Sequence, residues 1–330
     1  MSTSQGAPRE QRAAGNDGGG LSRKRLVVTA DDFGAAIAVN EAVERAHVDG
    51  ILTAASLMVA GEGAADAVER ARRLPNLGVG LHVVLVDGQP ILPPEQIPAL
   101  VGPDGWFQPD MVKTAFAIAF NPAARAQMRA EVKAQFAAFA ATGLKLDHVN
   151  AHKHFHMHPM ITSAILDAGK ASGIPGGIPA MRVPVEHGSS GFGPAAMRWW
   201  AGLLGRRLKA RGIMVNDQVM GLAQTGAFTP QAMEAALAAL PEGLTELYTH
   251  PATQDVWPGS AAGYRYRDEL AALVAPATIA AVSASRARIG PFAQFQDNFL
   301  PTGTMRALAQ AGSLGEGAQI DHRSSQKAAR

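Results

Sequence analysis

RLVVTADDFG, residues 25–34, is an apolar run that ends in two adjacent carboxylates, Asp31 and Asp32. An almost wholly apolar strand is typical of a parallel sheet that is covered on both faces. Active sites in barrels and open α/β sheets lie at the carboxyl ends of such strands. Taken alone, the pair is better explained by Asp31 capping the next helix and Asp32 facing water. Other segments of the chain favour a functional role for the pair.

The rest of the chain repeats the alternation of apolar β runs and helical stretches. Helices are predicted to begin at Pro122 and Pro159 and to end at Gly143 and Gly173, because proline favours the first turn and glycine follows the last. Repeated βα units predict a parallel sheet, either a closed or distorted barrel or a doubly wound sheet. The six further β runs are 52–59, 77–85, 144–150, 180–184, 214–221 and 244–249.

The chain is expected to hold one ordered domain, residues 23–295, between polar ends. Residues 1–22 and 296–330 are predicted to be a disordered N-terminal tail and a largely disordered C-terminal extension. The insertion 86–121 is rich in proline and glycine and is long for a βα connection. Loops of this kind on a rigid scaffold often form lids or substrate walls.

Composition excludes several classes of function. The chain has no cysteine, so it has no disulfide, thiolate nucleophile or cysteine zinc site. A formal net charge of +2 argues against a nucleic-acid partner. No signal-peptide core and no apolar stretch of about 18 residues is present, so we expect a cytoplasmic protein without a membrane span.

Titratable residues recur at the predicted strand ends. His82 is the one polar residue in LGVGLHVVL (77–85), and a lone histidine there is more often a hydrogen-bonded core residue than a metal ligand. The segment LDHVNAHKHFHMHP (146–159) contains five of the ten histidines, and such density is typical of transition-metal binding. Arg182 and His250, read singly, are a surface ion-pair partner and a loop residue. Together these segments indicate a metal-dependent hydrolase.

The blocks TADDFG, GLHVVL, DHVNAHKHFHMHP, MRVP and ELYTHPA resemble those of the YdjC-like deacetylases, a metal-dependent carbohydrate deacetylase family. The resemblance runs from about Arg25 to Phe295 and implies a distorted (β/α) barrel of about seven parallel strands, related to the polysaccharide deacetylases. Stretches such as LPPEQIPALV (92–101) are most similar to the hopanoid biosynthesis-associated branch, HpnK.

That resemblance also implies a division of roles. Asp32, His82 and His152 correspond to the ligands of one divalent metal, which Zn, Mg, Ni, Co, Fe or Mn would satisfy. Asp31 corresponds to the catalytic base and Arg182 to the arginine that orients it. His250 corresponds to the histidine that protonates the leaving amine. Spacing leaves three roles open for His154: it could replace His152 as a metal ligand, support His152, or contact the substrate.

The substrate implied by the branch is an N-acetylglucosaminyl hopanoid, which deacetylation converts to the glucosaminyl hopanoid. The alternatives are a soluble chitooligosaccharide-type substrate and a non-catalytic sugar-binding protein. The segment FGPAAMRWWAGLLGRRLKARG (192–212) combines tryptophans with basic residues and is compatible with peripheral contact with the inner membrane. An ordinary outer helix packed on the barrel explains it better. Nothing in the sequence sets an oligomeric state.

Overall fold

The computed structural model describes residues 22–186 and 192–298. Seven strands form one sheet in which every assigned strand pair is parallel. They are β1 (Lys24–Phe33), β2 (Ala54–Leu57), β3 (Gly78–Val83), β4 (Leu146–Ala151), β5 (Gln218–Met220), β6 (Gly243–Thr249) and β7 (Arg288–Ile289). Their order is β4-β3-β2-β1-β6-β5, and β7 pairs with β1.

The segment after helix α5 (Pro159–Ala171) closes the gap between β4 and β5. The backbone N–H of Val149 donates to Ala180, and the N–H of Met181 donates to Met214. The predicted strand 180–184 is reduced to isolated bridges, because Pro179 precedes it, Pro184 is its last residue, and neither proline has an N–H to donate. The result is the predicted distorted α/β barrel.

β7 was not predicted from the sequence, because it is only two residues long. It pairs with Arg25 and Leu26 of β1, before β2 begins to pair with β1 at Thr29. One edge of β1 is therefore shared between two strands, which distorts the barrel.

Nine α-helices are assigned in residues 22–186 and 192–298. Asn121 caps α4 by accepting from Ala123 N–H at 2.9 Å, and His158 caps α5 by accepting from Met160 N–H at 3.3 Å. Gly143 and Gly173 follow these two helices with φ of +72° and +73°, as predicted. The helices are α1 (Ile37–Asp49), α2 (Ala64–Arg73), α3 (Met111–Phe120), α4 (Pro122–Ala141), α5 (Pro159–Ala171), α6 (Phe192–Lys209), α7 (Pro230–Ala238), α8 (Tyr266–Val274) and α9 (Pro276–Ser285).

The insertion 86–121 is tied to the barrel by a buried carboxylate. Glu131 of α4 accepts from the backbone N–H groups of Ile91 and Leu92, both at 2.9 Å. The insertion contains the bridge between Val101 and Phe107 and ends in α3.

The predicted tails lie outside the described residues, except that a 3-10 helix spans Phe292–Asn298. Within the described ranges no single helix has the length and apolarity to cross a membrane; α8 and α9 reach both only as a pair bent by 57°.

Candidate active site

The end of β1 turns the two adjacent carboxylates in different directions. Asp32 has a left-handed φ of +62°, and the pairing of β1 with β2 shifts register between Ala30 and Phe33. Aspartate tolerates this conformation better than most residues. The helix-cap reading of the pair is wrong, because α1 begins after Ala36 without a side-chain cap. Asp31 is instead buried and contacts Arg182, whereas Asp32 meets two histidines.

Asp32, His82 and His152 form a triangle of donor atoms. Asp32 Oδ1 lies 3.3 Å from His82 Nε2 and 3.2 Å from His152 Nδ1, and the two nitrogens are 3.4 Å apart. Ligand atoms about 2.0–2.2 Å from one metal ion at tetrahedral or octahedral angles are about 3.0–3.5 Å apart. Two imidazoles and one carboxylate are also a common ligand set for divalent transition metals. The residues therefore fit a metal site.

The tautomer of His82 supports the same conclusion. Asn150 Nδ2 donates to Asp31 Oδ1 and Ser56 Oγ, so its Oδ1 is an acceptor and His82 Nδ1, at 2.6 Å, must donate to it. In a neutral His82 the lone pair of Nε2 then faces the Asp32 carboxylate. The lone pair and the carboxylate repel each other, and a cation between them, or a proton on Nε2, removes this repulsion. Burial alone lowers the pKa of His82, but Asp31 and Asp32 outweigh burial and raise it.

A strained turn after β4 presents His152 and His154 to the same cavity. Lys153 and His154 both have φ of +53°, a left-handed conformation that costs about 1–3 kcal/mol per non-glycine residue. His154 is not part of the donor triangle. It packs edge-on against Tyr248, and its buried Nδ1 has no hydrogen-bond partner. Burial and the charge of Arg182 lower the pKa of His154 well below its ordinary value, so the ring is neutral.

Arg182 is fully buried and holds Asp31 with two hydrogen bonds. Its Nη1 donates to Asp31 Oδ2 at 2.5 Å and its Nη2 to Asp31 Oδ1 at 2.9 Å. Nη2 also donates to Glu246 Oε1 at 2.8 Å. Burial by itself raises the pKa of Asp31, but Arg182 and His82 reverse this and hold it well below its ordinary range. The reading of Arg182 as a surface residue is wrong.

His250 follows β6 directly and lines the cavity. Its backbone N–H donates to the buried carboxylate of Glu269, while its side-chain Nδ1 is buried without a partner. Its ring packs edge-on between Tyr248 and Tyr264. Burial raises the pKa of Glu269 despite the opposing charge of His250. The two tyrosine contacts thus restrict the orientation of the imidazole in the cavity wall.

These groups open into one cavity of about 360 Å³, within the range of about 300–1,000 Å³ usual for small-molecule sites. Much of its wall is aromatic, and Trp106 of the insertion lies against the loop that carries Trp257: a Cβ at Gly259 would lie 3.3 Å from the Trp106 ring. The aromatic lining residues are Trp106, Tyr248, Trp257, Tyr264 and Tyr266. The insertion thus forms a wall of the cavity.

Several residues of the site were missed by sequence reasoning. Glu246 and Ser56 are polar residues inside apolar runs, which is the pattern that drew attention to His82. They were not singled out because glutamate and serine are less specific indicators of a metal site than histidine. Asn150 lies within the histidine cluster, and the sequence gives it no role of its own. Trp106 sits in an insertion with no periodic pattern, so no sequence signal placed it.

Comparisons with known proteins identify the family. Residues 25–284 match the family described as YdjC-like protein. A mouse carbohydrate deacetylase is 32% identical over 262 residues, which cover 73% of this chain and 82% of the relative. A carbohydrate deacetylase of Brevibacillus brevis is 36% identical over 151 residues, 46% of this chain and 58% of that protein. The chain thus spans less than two thirds of that relative's length.

The fold is shared with a crystal structure from Enterococcus faecalis V583, a protein named for a proposed cellobiose-phosphate cleavage activity. The two structures superpose with a TM-score of 0.67 at 22% identity, over 83% of this chain and 99% of the other.

Proposed function

Because the chain belongs to the family of YdjC-like proteins, we propose that it is a metal-dependent deacetylase that hydrolyses the amide of an N-acetylated sugar. The observation that carries the proposal is the donor triangle of Asp32, His82 and His152 beside the buried Asp31–Arg182 pair, in one aromatic-lined cavity. The mouse and Brevibacillus relatives are named carbohydrate deacetylases, which supports the same reaction.

Asp32, His82 and His152 would hold the metal. A divalent cation there would supply Lewis acidity, which activates water and polarises an amide carbonyl. The ligand set accepts Zn, Fe, Co, Ni, Mn or Mg and does not select among them.

Asp31 is the proposed base, and Oδ2 is the oxygen that would take the proton. Its Oδ1 accepts from Ser56, Asn150 and Arg182, whereas Oδ2 accepts only from Arg182. Oδ2 therefore keeps a lone pair. Because Arg182 and His82 hold the pKa of Asp31 well below its ordinary range, the carboxylate is ionised at neutral pH.

The proposed acid that protonates the leaving nitrogen is His250. Its ring lines the cavity and packs edge-on between Tyr248 and Tyr264, which restrict its orientation. His154, neutral and outside the triangle, is assigned to hydrogen bonding with a sugar substituent.

The aromatic wall supports a sugar substrate. Trp106, Trp257 and Tyr264 offer flat apolar faces with polar edges, which suit the C–H faces and hydroxyls of a pyranose. Following the resemblance to the HpnK branch, the proposed substrate is an N-acetylglucosaminyl hopanoid. A soluble chitooligosaccharide is the alternative, and acetate release from the two substrates, with and without chelator, separates them. Equal rates of acetate release from the two substrates contradict the proposed hopanoid substrate. Rates that chelator leaves unchanged contradict the proposed metal dependence.

Variants test the roles. Asp32→Ala and His152→Ala are expected to lose bound metal and turnover together, whereas Asp31→Asn keeps metal and loses turnover. His158→Asn is the matched control, because it lies in the same histidine cluster but caps α5. A non-catalytic sugar-binding protein would keep its sugar affinity in Asp31→Asn and release no acetate in any form. Retained metal and activity in Asp32→Ala contradict the ligand assignment.

Peripheral contact with the cytoplasmic face of the inner membrane is a second part of the proposal. On α6, Ala201, Leu204 and Leu208 pack inward, as an ordinary outer helix requires, but Trp199 is 65% exposed. Trp200 Nε1 donates to the carbonyl of Met157, beside the turn that carries His152 and His154.

Helix α3 is a proposed second part of this surface. Its Ala115 backbone lies beside His158, which caps α5, and the neighbouring Phe116 and Phe120 are exposed. Exposed aromatic side chains beside the basic end of α6 (Arg206, Arg207 and Lys209) are typical of binding to anionic lipid.

Co-sedimentation tests this surface with vesicles of phosphatidylcholine, with and without phosphatidylglycerol. Binding is expected with the anionic lipid and should fall in Trp199→Ala and Phe116→Ala. Val48→Ala, an exposed apolar residue on α1, is the control. Absence of binding by the unmodified protein contradicts the membrane contact.

A further inference from the structure

Three buried side chains form a hydrogen-bonded chain that ends on Asp31. Asp147 Oδ2 lies 2.9 Å from His148 Nδ1, and His148 Nε2 lies 2.9 Å from Ser56 Oγ. Ser56 Oγ lies 3.0 Å from Asp31 Oδ1. None of the three is more than 3% exposed. His148 is part of β4, within the strand predicted at 144–150.

Two glycines of β3 make room for this chain. A Cβ on Gly80 would lie 2.5 Å from two atoms of the His148 ring, and one on Gly78 would lie 2.7 Å from Asp147 Cγ. The ring of Phe292 packs on His148 with 5.0 Å between centroids. The imidazole is therefore enclosed in one position, and its hydrogen-bond partners are fixed.

The first link requires a proton on His148 Nδ1. Asp147 accepts from the backbone N–H of Ala293 at 2.8 Å and from that of Phe292 at 3.3 Å. A carboxylate that accepts two N–H groups is stabilised in its ionised form, which accepts hydrogen bonds only. His148 Nδ1 must then be the donor to Asp147.

The remaining links require a second proton. Ser56 Oγ accepts from Asn150 Nδ2 at 2.8 Å and has a single hydrogen of its own. That hydrogen can serve Asp31 Oδ1 or His148 Nε2, but not both. If His148 is neutral, Ser56 Oγ can donate to only one of these two acceptors, and in the other contact two lone pairs face each other about 3 Å apart. Leaving a buried hydrogen bond unmade in this way costs about 1–3 kcal/mol. With a doubly protonated His148, every contact joins a donor to an acceptor.

We infer that His148 is held as an imidazolium and acts through Ser56 as a positioning residue for Asp31. The groups that face it are Asp147 of its own strand, Ser56 of β2 in front of Asp31, the backbone of Gly80 and the Phe292 ring. Only the two aspartates among these are charged, and both favour the cation. Ser56 then donates to Oδ1, which leaves Oδ2 as the free oxygen. The link to catalysis rests on the proposed role of Asp31; the protonation state does not.

Neutron diffraction from deuterium-exchanged crystals of the full chain tests the protonation state. At a pH above the ordinary histidine pKa, we expect deuterium on both Nδ1 and Nε2 of His148. His156 is the internal control: burial and Arg182 lower its pKa to about 3, so it should carry one deuteron. A single deuteron on His148 overturns the inference.

Kinetics tests the positioning role. Ser56→Ala and Asp147→Asn should lower kcat about 10–100-fold, as loss of a supporting hydrogen bond does in metal sites, with KM and metal content unchanged. Asp217→Asn is the control, because Asp217 also accepts a backbone N–H, from Leu244, but does not touch this chain. Unchanged kcat in folded Ser56→Ala overturns the positioning role. Two deuterons on His148 in a protein without deacetylase activity would overturn the proposed function and leave the imidazolium intact.

Discussion

Removing the guanidinium of Arg182 tests the electrostatic design of the site. The perturbation is Arg182→Met, which keeps most of the side-chain length and deletes the charge. Arg182 donates three hydrogen bonds to two carboxylates, Asp31 and Glu246, and all three residues are buried. Breaking one buried ion pair by removing one partner costs about 3–5 kcal/mol. Arg182→Met leaves two buried carboxylates, Asp31 and Glu246, without their partner. The range of about 3–5 kcal/mol is therefore a lower bound on the fall in the free energy of unfolding.

The size of the loss should depend on pH. In the native protein Asp31 has a pKa below its unfolded value of about 3.9, so its contribution is present above about pH 4 and is lost as the pH falls further. Without Arg182, burial is opposed less and the native pKa of Asp31 rises. The destabilisation is therefore expected to be greater at pH 8 than at pH 5, where part of the carboxylate population is protonated.

The assay is urea unfolding followed by tryptophan fluorescence, in chelator so that metal binding does not contribute. Replacing Glu246 as well, in Arg182→Met/Glu246→Gln, removes one unpaired charge and should recover about 1.5–3 kcal/mol. The reasoning would be refuted if Arg182→Met lowered the free energy of unfolding at pH 8 by less than about 1 kcal/mol. It would also be refuted if the double variant were no more stable than Arg182→Met.

Three further outcomes are expected. Trp106→Ala should raise KM for the sugar roughly 2–10-fold, equivalent to about 0.5–1.5 kcal/mol of stacking, in steady-state acetate assays; a fall in kcat alone would contradict its role as a wall. Gly80→Ala should cost about 1–3 kcal/mol in urea unfolding through overpacking against His148, whereas Gly202→Ala, an open helical position, should gain about 0.5–1 kcal/mol; equal effects would disprove the packing argument. His156 has a native pKa of about 3, below its unfolded value, so the unfolded state binds the extra proton and stability falls by about 1.4 kcal/mol per pH unit below about 6.5. His156→Gln, which keeps a donor for the Arg182 carbonyl, should lose less stability between pH 7 and pH 5 than the unmodified protein, and an unchanged slope would count against this account.

Much of the fold was predictable because its determinants are local. The apolar run 25–30, the proline at the start of α4 and the glycine after it each act within a few residues. The two places where the prediction differed, 180–184 and β7, involve pairing between distant segments. Prolines remove donors from the first, and the second is too short to show a pattern.

The candidate site was partly predictable for a geometric reason. Parallel strands bring their carboxyl ends to one edge of a sheet, so polar residues at the ends of different strands could be expected to meet there. The family resemblance, not this geometry, singled out Asp32, His82 and His152. The supporting residues could not be found this way. Glu246 lies inside a buried strand, and only the register of β1 with β6 brings it to Arg182 and Thr29.

The sequence by itself determined the alternation of strands and helices, the family resemblance and the presence of the ligand types, since each depends on residue identity and short spacing. Only the tertiary structure decided which way each polar side chain points. The left-handed turn at Asp32 separates it from Asp31, and the enclosure of His148 between Gly80 and Phe292 fixes its partners. These are properties of packing between segments far apart in the chain, and no local pattern encodes them.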